Sequence, residues 1–213
     1  MNFYGASSFI DNYPEMHYGP VKAEGFSLIG TFDFIGNYKG LISIEDSYDL
    51  EIVVPDNFPY SLPIVMEKGG KIPRSEEFHI NYDNTLCVAT PLRASLDLST
   101  KPNLSAYADK YLVPYLYAVS YKLHFGGDFV FGELEHGRNG IIKDYMDLLE
   151  IKDPYKILPS LKLLSNKKRV ANKMECACGC SKRLGVCNFR LKINELRSKA
   201  PRSYFNYYYQ LLK

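Results

Sequence analysis

The chain of 213 residues lacks tryptophan and contains only four histidines. It also has no run of 18 or more apolar residues, whereas a membrane-spanning helix needs about 20 predominantly apolar residues. Its first residues, MNFYG, lack the basic segment followed by an apolar one that is typical of a secretion signal. We therefore expect a cytoplasmic protein without a membrane-spanning helix.

The sequence also lacks the segment G-x-x-x-x-G-K, in which a glycine-rich loop holds the phosphate groups of a nucleotide. We therefore do not expect the chain to activate a carboxyl group with ATP by itself. Any acyl-transfer reaction that it catalyses would need an activated donor, a separate activating protein or an unusual route.

Acidic and basic residues are distributed unevenly along the chain. Residues 1–150 contain 11 Lys or Arg against 21 Asp or Glu, and residues 151–213 contain 15 against 3. The formal net charge of +2 hides this division. A hydrophobic content of 46% is enough for the core of one domain of ordinary size with an appendage. We predict a domain over residues 1–150 and a basic extension over residues 151–213.

Apolar runs separated by turn residues predict an antiparallel meander of four strands. The predicted strands cover residues 26–35, 38–44, 48–54 and 62–67. Apolar residues at helical spacing predict helices over residues 108–124, 140–149 and 154–164, and beyond Phe189 with a break at Pro201. The sequence therefore predicts the α+β fold class.

Four of the five cysteines follow the pattern Cys176-x-Cys178-x-Cys180-x6-Cys187. This spacing is too tight for an ordinary disulfide framework. Four soft sulfur ligands in one short segment favour a closed tetrahedral site for structural Zn²⁺, and the folding of so small a segment would depend on the metal. The alternative is a cluster of reduced thiols without metal, which would be susceptible to oxidation.

The fifth cysteine, Cys87, stands alone in the first 175 residues, after a turn in the segment FHINYDNTLCV, residues 78–88. His79 and Asn81 are its near neighbours in sequence. A thiolate on an accessible loop could hold an acyl group as a thioester, and a nearby donor could stabilise the oxyanion when an amine attacks. The alternative is a strand with a buried, unreactive cysteine, because cysteine is among the most often buried residue types.

The order of these parts resembles the ubiquitin-conjugating enzymes, and more closely their prokaryotic relatives encoded in antiviral defence (CBASS) and ubiquitin-like operons. The resemblance rests on the meander, the segment VPDNFPYSLP at residues 54–63, a His-x-Asn pattern and a turn that leads to Leu86-Cys87-Val88. It covers roughly residues 20–150. It implies a four-stranded antiparallel meander packed on helices.

In that family a cysteine accepts the C-terminal carboxyl group of a ubiquitin-like protein as a thioester and passes it to an amine. By position this cysteine is Cys87. The resemblance implies a protein donor with a free C-terminus, either a ubiquitin-like protein or a cGAS-like nucleotidyltransferase, and transfer to a lysine or another nucleophile of a target protein. It further implies a role in bacterial antiphage defence.

The segment before Cys87 departs from the eukaryotic His-Pro-Asn motif, because Ile80 replaces the proline and Asn84 replaces a turn glycine. The resemblance implies a structural role for His79, although a neutral histidine could also act as a base. Asn81, or the backbone amides around Thr85 to Cys87, would stabilise the oxyanion. His136, in the segment GELEHG that resembles a His-Gly segment of the prokaryotic members, would deprotonate the incoming amine.

The cysteine-rich segment from Cys176 to Arg183 resembles the SEC-C zinc motif. In that motif a Cys-x-Cys pair is followed by a further Cys and immediately by His or Cys. Asn188 stands at the last of these positions. The resemblance therefore implies that Cys180 is the substitute fourth ligand.

Basic residues flank the cysteines at Lys167-Lys168-Arg169 and Lys182-Arg183. A zinc knuckle with basic neighbours could bind nucleic acid, but a charge run is more often a solvated face. Because residues 1–150 are acidic, we expect an acidic protein partner or contact with the chain's own acidic part instead. Two alternatives to the enzyme stay open, a catalytically silent binding module of the same fold and a zinc-knuckle nucleic-acid adaptor.

Overall fold

The computed structural model describes residues 3–23, 25–38, 40–130 and 137–213. The chain divides into two compact units, Met1–Glu133 and Leu134–Lys213. This division falls before the change from acidic to basic composition, so the helix that ends at Leu149 belongs to the second unit.

A four-stranded antiparallel sheet forms the centre of the first unit. Its strands pair in chain order, and they are β1 Met16–Tyr18, β2 Gly25–Gly36, β3 Ile44–Pro55 and β4 Ile64–Glu67. The long strands β2 and β3 pair from Gly25 opposite Pro55 to Gly36 opposite Ile44. The structure confirms a mixed α+β fold with a four-stranded antiparallel sheet.

One of the predicted strands, residues 38–44, is wrong. The N–H of Leu41 donates to the carbonyl of Tyr38 in a turn, and Gly40 has a φ of 76°. A positive φ of this kind interrupts an extended strand. The sheet gains β1 instead, whose three residues are too few for a recognisable alternation. Strand β3 also continues through the predicted break at Glu45-Asp46.

The described part of the first unit also contains four helices, and the longest of them packs on β2 and β3. These helices are α1 Ala6–Asn12, α2 Pro91–Leu98, α3 Leu104–Tyr107 and α4 Val113–Phe125, with a π turn, Ala108–Leu112, between α3 and α4. This region confirms the helix predicted over residues 108–124. Pro114 lies in the first turn of α4, but Leu112 and Val113 before it are also helical, so the absent N–H removes one hydrogen bond from a continuous helical segment. Leu116 of α4 joins the same core as Leu50 and Ile52 of β3.

A buried polar network joins β3 to α4. The hydroxyl groups of Tyr48 and Ser120 lie 2.7 Å apart, and Ser120 Oγ donates to Asp46 Oδ2 over 2.7 Å. The ammonium group of Lys71 forms an ion pair with Asp46. These hydrogen bonds satisfy two hydroxyl groups that are otherwise enclosed by the core, which is the usual condition for burying them.

The second unit is helical, and its helices confirm those predicted from residue 140 onwards. They are α5 Gly137–Leu149, α6 Ile157–Ser165, α7 Lys168–Ala171, α8 Arg190–Lys199 and α9 Arg202–Leu212. Pro201 separates α8 from α9, as expected for a residue that cannot continue a helix. The tyrosine-rich end of the chain is an amphipathic helix whose Phe205 and Tyr208 are buried. Among the described residues, no helix combines the length and the apolar character needed to cross a membrane.

Replacement of Leu116 with alanine should destabilise the first unit by about 2–5 kcal/mol, because it leaves a cavity in a fully buried part of the core. Leu123→Ala on the same helix is the matched control, since Leu123 is 38% exposed and its loss should cost far less. Urea unfolding of both variants measures the difference. Equal destabilisation by the two substitutions would contradict the packing of α4.

Candidate functional site

Cys87 lies at the end of a short β-hairpin. Ile80 and Leu86 face each other in an antiparallel bridge. The N–H of Asn81 donates to the carbonyl of Thr85, and the N–H of Cys87 donates to the carbonyl of His79, each over 2.8 Å. This pairing fixes the backbone of Cys87 against the residue that begins the hairpin.

Among the described residues, one backbone hydrogen bond ties this hairpin to the sheet. The N–H of Leu86 donates to the carbonyl of Val65 in β4 over 2.8 Å. The side chains of Ile80 and Leu86 are buried in the core of the first unit. The hairpin is therefore fixed by its hydrogen bond to β4 and by its two buried side chains. Cys87 directly follows Leu86, the residue that forms this hydrogen bond.

The turn of the hairpin is specified by its own side chains. The N–H of Asn84 donates to the carbonyl of Asn81, and Asn84 has a φ of 63°, a conformation that asparagine tolerates better than most residues. The Asp83 carboxylate accepts from Thr85 N–H over 3.1 Å and from Thr85 Oγ1 over 2.6 Å. These hydrogen bonds lower the pKa of Asp83. The turn presents Tyr82, which is fully exposed, at its tip.

The two sides of the hairpin differ in character. Because successive residues of a strand point to opposite sides, the buried Ile80 and Leu86 leave Asn81 and Cys87 on the other side. Asn81 is exposed, and its Nδ2 donates to Thr85 Oγ1 over 2.9 Å. The pairing thus brings together two residues that the sequence indicated, the candidate nucleophile Cys87 and the candidate donor Asn81.

The backbone amides around Cys87 do not provide the oxyanion donors that the sequence suggested. Thr85 N–H donates to Asp83, Leu86 N–H to Val65 and Cys87 N–H to His79. All three groups are engaged in holding the hairpin. In this conformation they are not available to an oxyanion.

The thiol of Cys87 is half-buried, and burial raises its pKa above the usual value. The pKa values of Tyr107 and Tyr115 are raised mainly by burial and further by negative charge at Cys87, so both phenols lie near the sulfur. The hydroxyl group of Tyr115 donates to the carbonyl of Phe78 over 2.7 Å. The thiol is therefore protonated near pH 7 and becomes a thiolate only with the help of a base or a higher pH.

His79 is buried and has a φ of 52°. Its ring meets the ring of Phe129 edge to face, with a centroid distance of 4.5 Å. Its backbone N–H donates to Glu76, and its carbonyl accepts from Cys87. These contacts position the hairpin backbone, in line with the structural role that the resemblance implies. His136 lies outside the described residues, and its role as a base stays a prediction.

The second unit carries a candidate metal centre. The Sγ atoms of Cys176, Cys178, Cys180 and Cys187 all lie within 4.8 Å of one another. Neighbouring pairs are closer, with 3.3 Å between Cys176 and Cys178 and 3.6 Å between Cys178 and Cys187. Four sulfurs around one tetrahedral zinc ion stand about 3.8 Å apart, as Zn–S bonds of about 2.3 Å require. The four cysteines therefore fit a metal ion such as zinc.

A second hairpin brings three of these cysteines together. Glu175 and Arg183 form an antiparallel bridge, and the N–H of Cys176 donates to the carbonyl of Lys182 over 2.8 Å. Gly179, at the tip, has a φ of 88° that a residue with a side chain rarely adopts. The fourth cysteine, Cys187, follows the 3₁₀ turn Leu184–Val186 and precedes α8.

The four thiols differ in their surroundings: burial raises the pKa values of Cys176 and Cys178, whereas N–H donors reach Cys180 and Cys187. The N–H of Phe189 donates to Cys187 Sγ over 3.4 Å. A backbone hydrogen bond from Lys182 is the main cause that lowers the pKa of Cys180 to about 7. A Cβ atom on Gly179 would stand 3.4 Å from the Nζ atom of Lys156, so this ammonium group lies against the hairpin tip. Bound Zn²⁺ would replace the protons of the four thiols and hold the segment in its folded form.

Comparisons with protein-family models, curated proteins and solved structures gave no match to this chain. The site is therefore described by its own geometry. Sequence reasoning missed Tyr82, Asp83 and Val65 as parts of the Cys87 site. An Asp two residues before a Thr is a known turn signal that could have indicated Asp83, whereas the partnership of Val65 with Leu86 depends on tertiary structure.

Single substitutions should show whether Cys180 or Asn188 provides the fourth zinc ligand. We expect Cys180→Ser to weaken zinc binding at least about tenfold, because an oxygen replaces a thiolate ligand. Asn188→Ala, the control, should leave it unchanged. Zinc content, and the thiolate absorption of the Co²⁺-substituted protein, measure this effect. Unchanged binding by Cys180→Ser, or loss in Asn188→Ala, would contradict the Cys₄ site.

Alkylation of Cys87 by iodoacetamide should be slow near pH 7 and should still accelerate above about pH 8.5, the pKa of a cysteine in a peptide. The reason is that only the thiolate reacts, and burial raises the pKa of this thiol. Mass spectrometry of the peptide that contains Cys87 measures the rate, with the urea-unfolded chain as the control. A rate that levels off below pH 8 would show a low-pKa thiolate instead.

Proposed function

We propose that this chain is a ubiquitin-conjugating-like cysteine transferase. In this proposal Cys87 carries the C-terminal acyl group of a partner protein as a thioester and passes it to a lysine or another nucleophile. The observation that carries the proposal is the hairpin, which holds Cys87 and Asn81 on one side next to the edge strand β4.

The order of elements in the first unit adds support. A four-stranded antiparallel sheet in chain order is followed by a segment that ends in Cys87, and helices follow. The resemblance noted in the sequence implies this same order. The turn position at which the family usually has glycine is occupied by Asn84, whose φ of 63° is suited to glycine or asparagine. The replacement therefore leaves the turn intact.

The chemistry proceeds in two transfers. In the first, the Cys87 sulfur attacks the activated carbonyl carbon of the donor, the donor's leaving group departs with the bonding electron pair, and the thiol proton passes to a base. In the second, an amine attacks the thioester carbonyl, the Cys87 sulfur departs with the bonding pair of the C–S bond, the amine nitrogen loses a proton to a base, and an amide forms. The first transfer requires an activated donor, such as an acyl adenylate or a second thioester, because a thiol does not displace oxygen from a free carboxylate.

The oxyanion formed in each transfer needs a hydrogen-bond donor. The Nδ2 group of Asn81 has two hydrogens, and one of them is engaged with Thr85. The backbone N–H of Val88, which donates to no other described residue, is a second candidate donor. The partial burial of the sulfur limits hydrolysis of the thioester by water.

The partners in this proposal are proteins. The donor is a ubiquitin-like protein or a cGAS-like nucleotidyltransferase with a free C-terminus, and the setting is bacterial antiphage defence. Because the sequence has no nucleotide-binding loop of the G-x-x-x-x-G-K type, the proposed transfer calls for a donor that is already activated, a separate activating protein or another route of activation. The second unit contributes a structural zinc knuckle.

A second candidate function is a binding module of the same fold that performs no chemistry. The raised pKa of Cys87 favours it, because a protonated, half-buried thiol is a poor nucleophile. In that case the rigid hairpin with the exposed Tyr82 at its tip would serve as a contact surface.

Co-expression with the products of neighbouring genes distinguishes the two candidates. We expect an adduct on non-reducing gels that thiols cleave in wild type, that is absent from Cys87→Ala, and that resists thiols in Cys87→Ser, because an ester replaces the thioester. Intact mass identifies the partner. Val88→Ala, next to Cys87 but with the thiol retained, is the matched control and should form the adduct. Identical behaviour of wild type and both Cys87 variants would support the binding module.

A further inference from the structure

The segment around the zinc knuckle is strongly basic. Residues 154–190 contain nine Lys or Arg and a single acidic residue, Glu175. The basic residues are Lys156, Lys162, Lys167, Lys168, Arg169, Lys173, Lys182, Arg183 and Arg190. Four cysteine thiolates and one Zn²⁺ ion together carry two negative charges, fewer than the excess of basic over acidic residues, so the net charge of this segment stays positive.

These cations are not neutralised by ion pairs within the described part of the chain. Lys156 has an acidic partner, Asp153, with an N–O distance of 3.8 Å. The other eight form no ion pair with any described residue. By contrast, Lys192 and Lys199 of α8 are paired with Glu150 and Glu195. Lys192 and Lys199 on α8 therefore have acidic partners, whereas eight of the nine cations around the knuckle, including Arg190 at the start of the same helix, have none among the described residues.

Backbone hydrogen bonds align part of these cations along the second hairpin. Glu175 faces Arg183, and the N–H of Gly185 donates to the carbonyl of Asn172, next to Lys173. The guanidinium group of Arg190 donates to the carbonyl of Gly185 over 3.0 Å. Lys173, Lys182, Arg183 and Arg190 thus lie near one another along the hairpin and the turn that follows it, and we call this basic segment the strip.

An exposed aromatic residue lies at the tip end of this strip. Tyr155 is 88% exposed and makes no ring contact with another described residue. It directly precedes Lys156, whose ammonium group lies against Gly179 at the hairpin tip. An exposed ring beside cations provides a surface on which a nucleic-acid base can stack, at about 1–3 kcal/mol per base.

We propose that this knuckle surface, formed by Tyr155, Lys156, Lys173, Lys182, Arg183 and Arg190, binds single-stranded nucleic acid. The cations contact phosphate groups, and Tyr155 stacks on a base. The charge pattern of the sequence alone favoured an acidic protein partner. The combination of unpaired cations with an exposed aromatic ring favours nucleic acid over an acidic protein. An acidic protein surface supplies negative charge but no planar base on which Tyr155 can stack.

Fluorescence anisotropy with a labelled single-stranded RNA of mixed sequence tests this proposal on the full, zinc-loaded chain. Between about 50 and 200 mM salt we expect a slope of log affinity against log salt of roughly −2 to −3.5, as for three to five phosphate contacts. Lys173→Gln with Arg183→Gln should reduce the magnitude of this slope by about 1 to 2. Lys192→Gln with Lys199→Gln, which removes the same charge from α8, should leave it unchanged.

Tyr155→Ala tests the stacking contact independently of charge. We expect affinity to fall roughly 5- to 150-fold, whereas Tyr207→Ala, which removes an exposed tyrosine of α9, should have no effect. Zinc content and circular dichroism establish that each variant is folded. Equal losses in the knuckle and α8 pairs would indicate net charge alone and overturn the proposal. So would absence of RNA binding together with binding to vesicles that contain phosphatidylserine, or to polyglutamate.

Discussion

The candidate site depends on one backbone hydrogen bond, from Leu86 N–H to the carbonyl of Val65 in β4. A hairpin of a few residues is only marginally stable by itself, so this attachment and the buried pair Ile80 and Leu86 give it a fixed position. With the hairpin fixed, Cys87 and Asn81 share a side by the alternation of strand residues. The same constraint engages the amides of Leu86 and Cys87, and it leaves the thiol half-buried with a raised pKa.

In the second unit, too, a short hairpin positions the cysteines. This hairpin joins Cys176 to Lys182 by backbone pairing and brings four Sγ atoms within 4.8 Å of one another. A metal ion bound by these four sulfurs would add stabilisation to so small a segment. With the segment folded, its basic residues occupy fixed places around the cysteines. Such a site would create a charged surface that a disordered tail of the same composition does not present.

Local patterns were sufficient for much of this fold. Helical spacing predicted α4, α5, α6, α8 and α9 in outline, and the soft ligands at residues 176–187 predicted the cluster. The failures have physical causes. The strand predicted over residues 38–44 was lost because Gly40 adopts a positive φ, and β1 was missed because three residues carry no periodicity. The amides expected to serve an oxyanion are engaged by Asp83, Val65 and His79, and two of these partners lie outside the turn itself.

The central claim is that an acyl group resides on Cys87 during transfer. The most direct measurement is tandem mass spectrometry of the wild-type chain, isolated with its neighbouring gene products and quenched in acid so that thioesters survive. The account predicts a partner C-terminus attached to the peptide that contains Cys87, and its release by hydroxylamine. An acyl group found only on a lysine or on a knuckle cysteine, with Cys87 unmodified, would contradict it.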